Sequence, residues 1–170
     1  MKKLLSLLII ATAFTSCNTS VESEKISGKW LLDDSRFEKG YMAGDQKDYD
    51  LVKKFLDAYE NMDPQGMVDL SADTVKFHPA DIAGVFDVDM TNTDFIVERQ
   101  SNWDSISRNY IFIMPLKMED SKNRVVTTAF TETRYVKDGT SESINFYERL
   151  YINEQDQIMR VVQYSRPPND

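Results

Sequence analysis

Between residues 50 and 79 the spacing of apolar positions changes period, and each change marks an element. Leu51, Val52, Phe55, Leu56, Tyr59 and Met62 recur at helical spacing, while Lys53, Lys54, Asp57 and Glu60 fall on the other side. This predicts a helix over 48–62 with one buried face. Pro64 lacks the N–H that a helix interior needs but suits a first helical position, so with Asp63 as cap it opens a short helix over 64–70. Thr74, Val75, Lys76, Phe77 and His78 then alternate polar with apolar, as in a half-buried strand, and Pro79 ends the ladder. That parity sets His78 with Thr74 and Lys76, opposite Val75 and Phe77.

Residues 79–90 read as a solvated loop. They include Asp81, Asp87 and Asp89, but the pair at 87 and 89 lacks the remaining ligands and spacing of a calcium loop, so no metal is expected. Thr91 and Asp94 have capping-box spacing, and Phe95, Ile96, Arg99, Trp103 and Ile106 follow at helical intervals. A third helix is therefore predicted over 92–107, with Trp103 facing inward. From Tyr110 the period becomes two. Tyr110, Phe112, Met114, Leu116 and Met118 share one strand face, further strands begin near Arg124, Ser143 and Gln157, and Asp138-Gly139 signals a two-residue hairpin turn. Such a turn pairs Val136 with Ser141. Ala129, Thr131 and Thr133 then share the face of Ile144, Phe146, Glu148, Leu150 and Ile152, joined by Met159 and Val161. One acid, Glu148, interrupts that row.

Two stretches carry a resemblance. FLDAYENMDPQGMVDLSADTVKFHP (55–79) has a helix ending in an Asn-x-Asp turn, a short helix, an Ala-Asp turn and a His just after an aromatic. It resembles the opening of the nuclear transport factor 2-like (NTF2-like), or SnoaL-like, domain. LYINEQDQIMRVVQYSR (150–166) resembles the last hairpin of that family, although many members have Asp-Gly-Lys where this chain has Gln155, Asp156 and Gln157. The resemblance covers 48–167. It implies an α+β cone, three helices packed on a curved, mainly antiparallel sheet, and a pocket that a His or Asp near the end of the first cone strand often lines.

Residues 1–16 read as a processing segment: Lys2 and Lys3, an apolar run over 4–14 too short to span a bilayer, then Thr15-Ser16 before Cys17. This resembles a bacterial lipoprotein signal, with Phe14 where an aliphatic residue is usual. It implies lipidation of Cys17 and anchoring to a bacterial membrane in the cell envelope; an ordinary secretory peptide is the alternative. The chain has 1 Cys, so no internal disulfide forms. Residues 17–47 read as a tether with a short packed piece at Trp30-Leu31-Leu32, and 48–167 is long enough for one domain. The net charge of −8, more negative still without Lys2 and Lys3, disfavours nucleic acid and anionic lipid surfaces as partners.

Candidate chemistry is sparse. Glu148 among apolar neighbours would be desolvated and its pKa raised, as an acid–base group requires, or it pairs with Arg124, Arg149 or Arg160. His78, the 1 histidine, is the other catalytic candidate, and Tyr59, Trp103 and Phe146 are candidate ligand contacts or plain core. No nucleophile motif, phosphate loop, zinc spacing or dinucleotide fingerprint occurs, so no cofactor is expected. The reading is a membrane-anchored, non-catalytic binder of a small apolar ligand or a protein partner, with a homodimer through the outer sheet face as a further option. The alternative is a SnoaL-like isomerase, cyclase, dehydratase or hydrolase using acid–base chemistry, and it requires two or more ionisable groups converging inside the cone.

Overall fold

The computed structural model describes residues 25–122 and 124–167; the leader 1–16 and Cys17 lie outside them. In chain order the elements are β1 (Gly28–Lys29), β2 (Gly40–Ala43), α1 (Gln46–Glu60), α2 (Pro64–Asp69), β3 (Ser71–His78), β4 (Phe86–Asp89) and α3 (Asp94–Gln100). Four long strands follow: β5 (Trp103–Met118), β6 (Arg124–Val136), β7 (Ser141–Ile152) and β8 (Ile158–Arg166). The strands form one open sheet in the order β1-β2-β5-β6-β7-β8-β3-β4, antiparallel except where β3 runs parallel to β8. With three helices on one side of a curved sheet, this is the expected α+β cone.

The helix α1 fills the cone because its apolar stripe is continuous: Val52, Phe55, Leu56, Ala58 and Tyr59 are buried where it packs on β5 and β6. Burying each large side chain contributes roughly 1.5–3 kcal/mol. Its first turn is pinned by charge, since buried Asp48 sits 2.8 Å from Nη1 of Arg124, which also meets Asp156 at 2.6 Å. One arginine thus ties the helix start to β6 and to the turn between β7 and β8. Burial pushes the Asp48 carboxyl up, against the pull of Arg124. After α1, Met62 adopts φ 57° and Asp63 caps α2 by accepting a hydrogen bond from the Gly66 N–H at 2.9 Å.

Several expectations need correction. The third helix ends at Gln100, and Trp103 opens β5. A bulge between Trp103 and Ser105 puts Trp103 and Ile106 three apart, which imitates helical spacing in a strand. A second bulge between Tyr110 and Phe112 reverses the facing: Tyr110 and Ile113 pack on the core, whereas Phe112 and Met114 are exposed. Residues 86–89, read as loop, are strand β4 paired with β3.

The hairpin between β6 and β7 corrects the site itself. Val136 N–H donates to Thr140 O, so Lys137, Asp138 and Gly139 make a three-residue loop, with Gly139 at φ 87°. The register is therefore one residue off the expected one, with Tyr135 opposite Ser141. A slip of one exchanges faces: Thr128, Phe130, Glu132 and Arg134 point into the cone, not Ala129, Thr131 and Thr133. In β8 an irregularity beside Ile152 turns Ile158 and Val161 inward and leaves Met159 exposed. In the segment read as a tether, β1 and β2 extend the sheet beside β5, and Trp30 stands against Tyr41 while Leu31 and Leu32 are exposed.

Candidate functional site

At the wide end of α1 the core leaves a cavity of about 70 Å³, walled by Leu56, Tyr59, Met67, Val75, Phe77, Phe95, Ile96 and Val161. The sheet contributes its polar side: Arg108 from β5, Glu132 and Arg134 from β6, Glu148 from β7 and Gln163 from β8. Arg99 of α3 completes the wall. Strand alternation places these groups, because every second residue of four adjacent strands faces the helices.

Arg108, Glu132 and Arg134 form one buried cluster. Arg108 Nη2 and Nε lie 2.6 and 2.8 Å from Glu132 Oε2, and Arg134 Nε lies 2.7 Å from Oε1. Arg108 also faces the rings of Tyr59 and Phe130 at 4.7 and 4.5 Å, and Arg134 faces Trp103 at 4.4 Å. The planar guanidinium allows both contacts at once, donors in the plane and rings above it. Burial raises the Tyr59 phenol to about 12, so it stays protonated.

Glu148 stands apart from that cluster. It is 2% exposed and has no cation within ion-pair distance among the described residues; Gln163 Nε2 donates to its Oε1 at 2.6 Å. Desolvation pushes its carboxyl up, with Arg108 and the Gln163 hydrogen bond opposing and Glu132 adding to the rise. Gln163 Oε1 is buried with no partner.

Of the residues read from sequence, Tyr59 and Glu148 line the cavity. Trp103 and Phe146 stand behind it, against Arg134. His78 is half-buried next to Val162 of β8, outside the cavity wall, its imidazole pKa held down by burial, Arg160 and Lys76. Of the three loop acids, Asp81 meets Arg99, Asp87 meets Lys76, and Asp89 accepts hydrogen bonds from Thr91 and Asn92. Sequence reading missed Arg108, Glu132, Arg134 and Gln163. The Glu-x-Arg alternation in β6 was visible, but the assumed turn put it on the solvent side.

Phe95, Arg99 and Arg134 also border an open surface groove of about 470 Å³. They form the partition between that groove and the buried cavity.

No family model and no curated protein matches the sequence. Solved structures do match the fold. A protein described as an aromatic ring hydroxylase from Novosphingobium aromaticivorans aligns with TM-score 0.60 at 13% identity over 71% of this chain and 87% of its own. One described as a SnoaL-like polyketide cyclase from Shewanella denitrificans gives 0.55 at 8% identity over 72% and 92%. An epoxide hydrolase from M. tuberculosis gives 0.54 at 12% identity over 71% and 83%. The fold is therefore NTF2-like, and these identities carry no activity across.

Proposed function

We propose that the protein binds a small, mostly apolar organic molecule with an oxygen function in the cone and that Glu148 performs proton transfer on it. The observation that carries this reading is a buried carboxyl with a raised pKa at a cavity wall, within the field of Arg108 and next to the unpaired oxygen of Gln163. A carboxyl that burial makes less acidic holds its proton more tightly than a solvated one and can pass it to a substrate oxygen, and the buried arginine can steady the charge that develops. Structural neighbours described as a polyketide cyclase and an epoxide hydrolase support the choice of an organic ligand for the cone. At about 70 Å³ the cavity is smaller than the roughly 150 Å³ that accommodates benzene, so a ligand of that size enters by displacing the partition at Phe95 and Arg99.

The test is to screen small apolar ketones and epoxides by ligand-observed NMR and follow turnover in the same samples. Glu148→Gln should bind within a few-fold of wild type and lose about 10²–10⁴ in rate. Equal turnover by the variant would overturn the reading. Binding without turnover in wild type would instead establish the second reading, a non-catalytic binder, which the mutual pairing of Arg108, Glu132 and Arg134 favours.

We also propose that Cys17 is lipidated and anchors this domain to a bacterial membrane. The positive charge, short apolar run and lone cysteine support it. Incorporation of a labelled fatty acid should vanish in Cys17→Ser, and label retained by that variant would place the anchor elsewhere.

A further inference from the structure

The chain carries 28 acidic against 20 basic residues, and among the described residues Arg36, Arg99, Arg108, Arg124 and Arg134 each meet a carboxylate. Arg149 and Arg160 meet none, although both are only partly exposed and the Nε of each is buried without a hydrogen-bond partner. They occupy neighbouring strands on the outer face of the sheet, away from the cone, and both guanidiniums face the ring of Tyr151, at 5.6 and 5.2 Å. One further donor is committed: Arg149 Nη2 bonds Tyr41 Oη at 3.2 Å, a contact that spans β5 and β6.

A half-buried cation without a counter-charge is costly, and ring contacts offset only part of that cost. In a chain with acids to spare, leaving two adjacent arginines unpaired keeps their donors free. With both Nε atoms buried and one Arg149 N–H on Tyr41, the remaining Nη donors of the two guanidiniums are the groups left to meet an oxyanion.

We propose that Arg149 and Arg160, on either strand beside Tyr151, form a binding site for a small oxyanion group, phosphate or carboxylate, on the outer sheet face. The site is separate from the cone and stands whether or not Glu148 is catalytic. The excess negative charge of the chain works against extended anionic surfaces, so the ligand is a single anionic group held at close range, where the two arginines dominate.

His78 supplies the readout. It is the 1 histidine of the chain, it pairs along β3 and β8 two residues from Arg160, and Arg160 helps hold its pKa down, with Lys76 adding a smaller push. An anion on Arg160 offsets that push. The experiment titrates the His78 ring protons by NMR in full-length protein, with inorganic phosphate and with sodium chloride at matched ionic strength. A saturable rise of the His78 pKa with phosphate beyond the chloride control is expected. Arg160→Gln should raise the His78 pKa in the free protein and abolish the phosphate-dependent rise. Arg149→Gln, which leaves the neighbour of His78 in place, should weaken phosphate binding at least tenfold. Identical curves in phosphate and chloride, or an unchanged response in both variants, would overturn the site. A sedimentation arm with phosphatidylglycerol vesicles identifies the source of the anion: capture that phosphate competes away means a lipid headgroup, and phosphate binding without capture means a soluble ligand. If the variants unfold, the wild-type comparison of phosphate with chloride still decides.

Discussion

Arg108 and Glu132 form a hydrogen-bonded ion pair in the interior of the cone, with side chains 4% and 1% exposed. A buried pair of this kind is worth little net of desolvation, but breaking it strands a charge. Glu132→Gln should therefore destabilise the fold by about 3–5 kcal/mol, because Arg108 and Arg134 both lose their shared counter-charge. Replacing Arg108 and Glu132 together with Met should cost less than Glu132→Gln alone. Urea denaturation of wild type and the two variants checks the order, and a double variant less stable than Glu132→Gln would contradict the pairing.

Glu148 predicts the pH dependence of stability. Below its ordinary value of 4.5 the carboxyl is neutral in both folded and unfolded chains. As pH rises past that value the unfolded chain ionises freely while the buried group resists, so the folded state loses stability until pH passes the raised folded-state pKa. The stability of Glu148→Gln relative to wild type should accordingly be flat in acid and grow upward from pH 4.5. Denaturation midpoints measured across pH test this, and parallel curves for the two proteins would show that Glu148 is solvated.

The cap of α2 is local and separable. Asp63→Ala removes the acceptor for the Gly66 N–H and should cost about 1 kcal/mol, with the NMR signals of cavity-wall residues outside α2 unchanged. Thermal melting is the measurement.

The three-residue turn can be checked in the same way. Gly139 has open space around it but sits at φ 87°, so a Cβ there is strained by backbone conformation alone. Gly139→Ala should cost about 1 kcal/mol, and Gly28→Ala, at ordinary φ and equally open, close to nothing. Equal effects of the two substitutions would mean that the turn has another geometry.

The extent to which sequence disclosed this molecule followed the continuity of its patterns. The helix α1 and strand β7 have unbroken periods, and they yielded Tyr59 and Glu148, the two candidates that lie on the cavity wall. Strand β6 is equally regular, yet its facing hangs on a turn, and one uncounted loop residue hid Glu132 and Arg134. Strand β5 contains two bulges, each of which shifts parity, so residues 103–107 read as helix, Arg108 fell outside any element, and Phe112 was put on the same face as Tyr110. Pairing register is a nonlocal property, and composition along one strand does not carry it.

The parallel pairing of β3 with β8 has a consequence for how the chain reaches its fold. Apart from the adjacent β4, residues 71–78 find their sheet partner only in 158–166, about 80 residues further along the chain. The nearby hairpins can form as soon as they are made, but β3 and β4 stay detached from the main sheet until the last strand arrives. Closing so long a loop costs entropy before any contact repays it, which slows folding relative to a purely nearest-neighbour sheet. A growing chain on the ribosome therefore holds its helices over an unfinished wall, and the cavity comes into being only once residues 158–166 have been made.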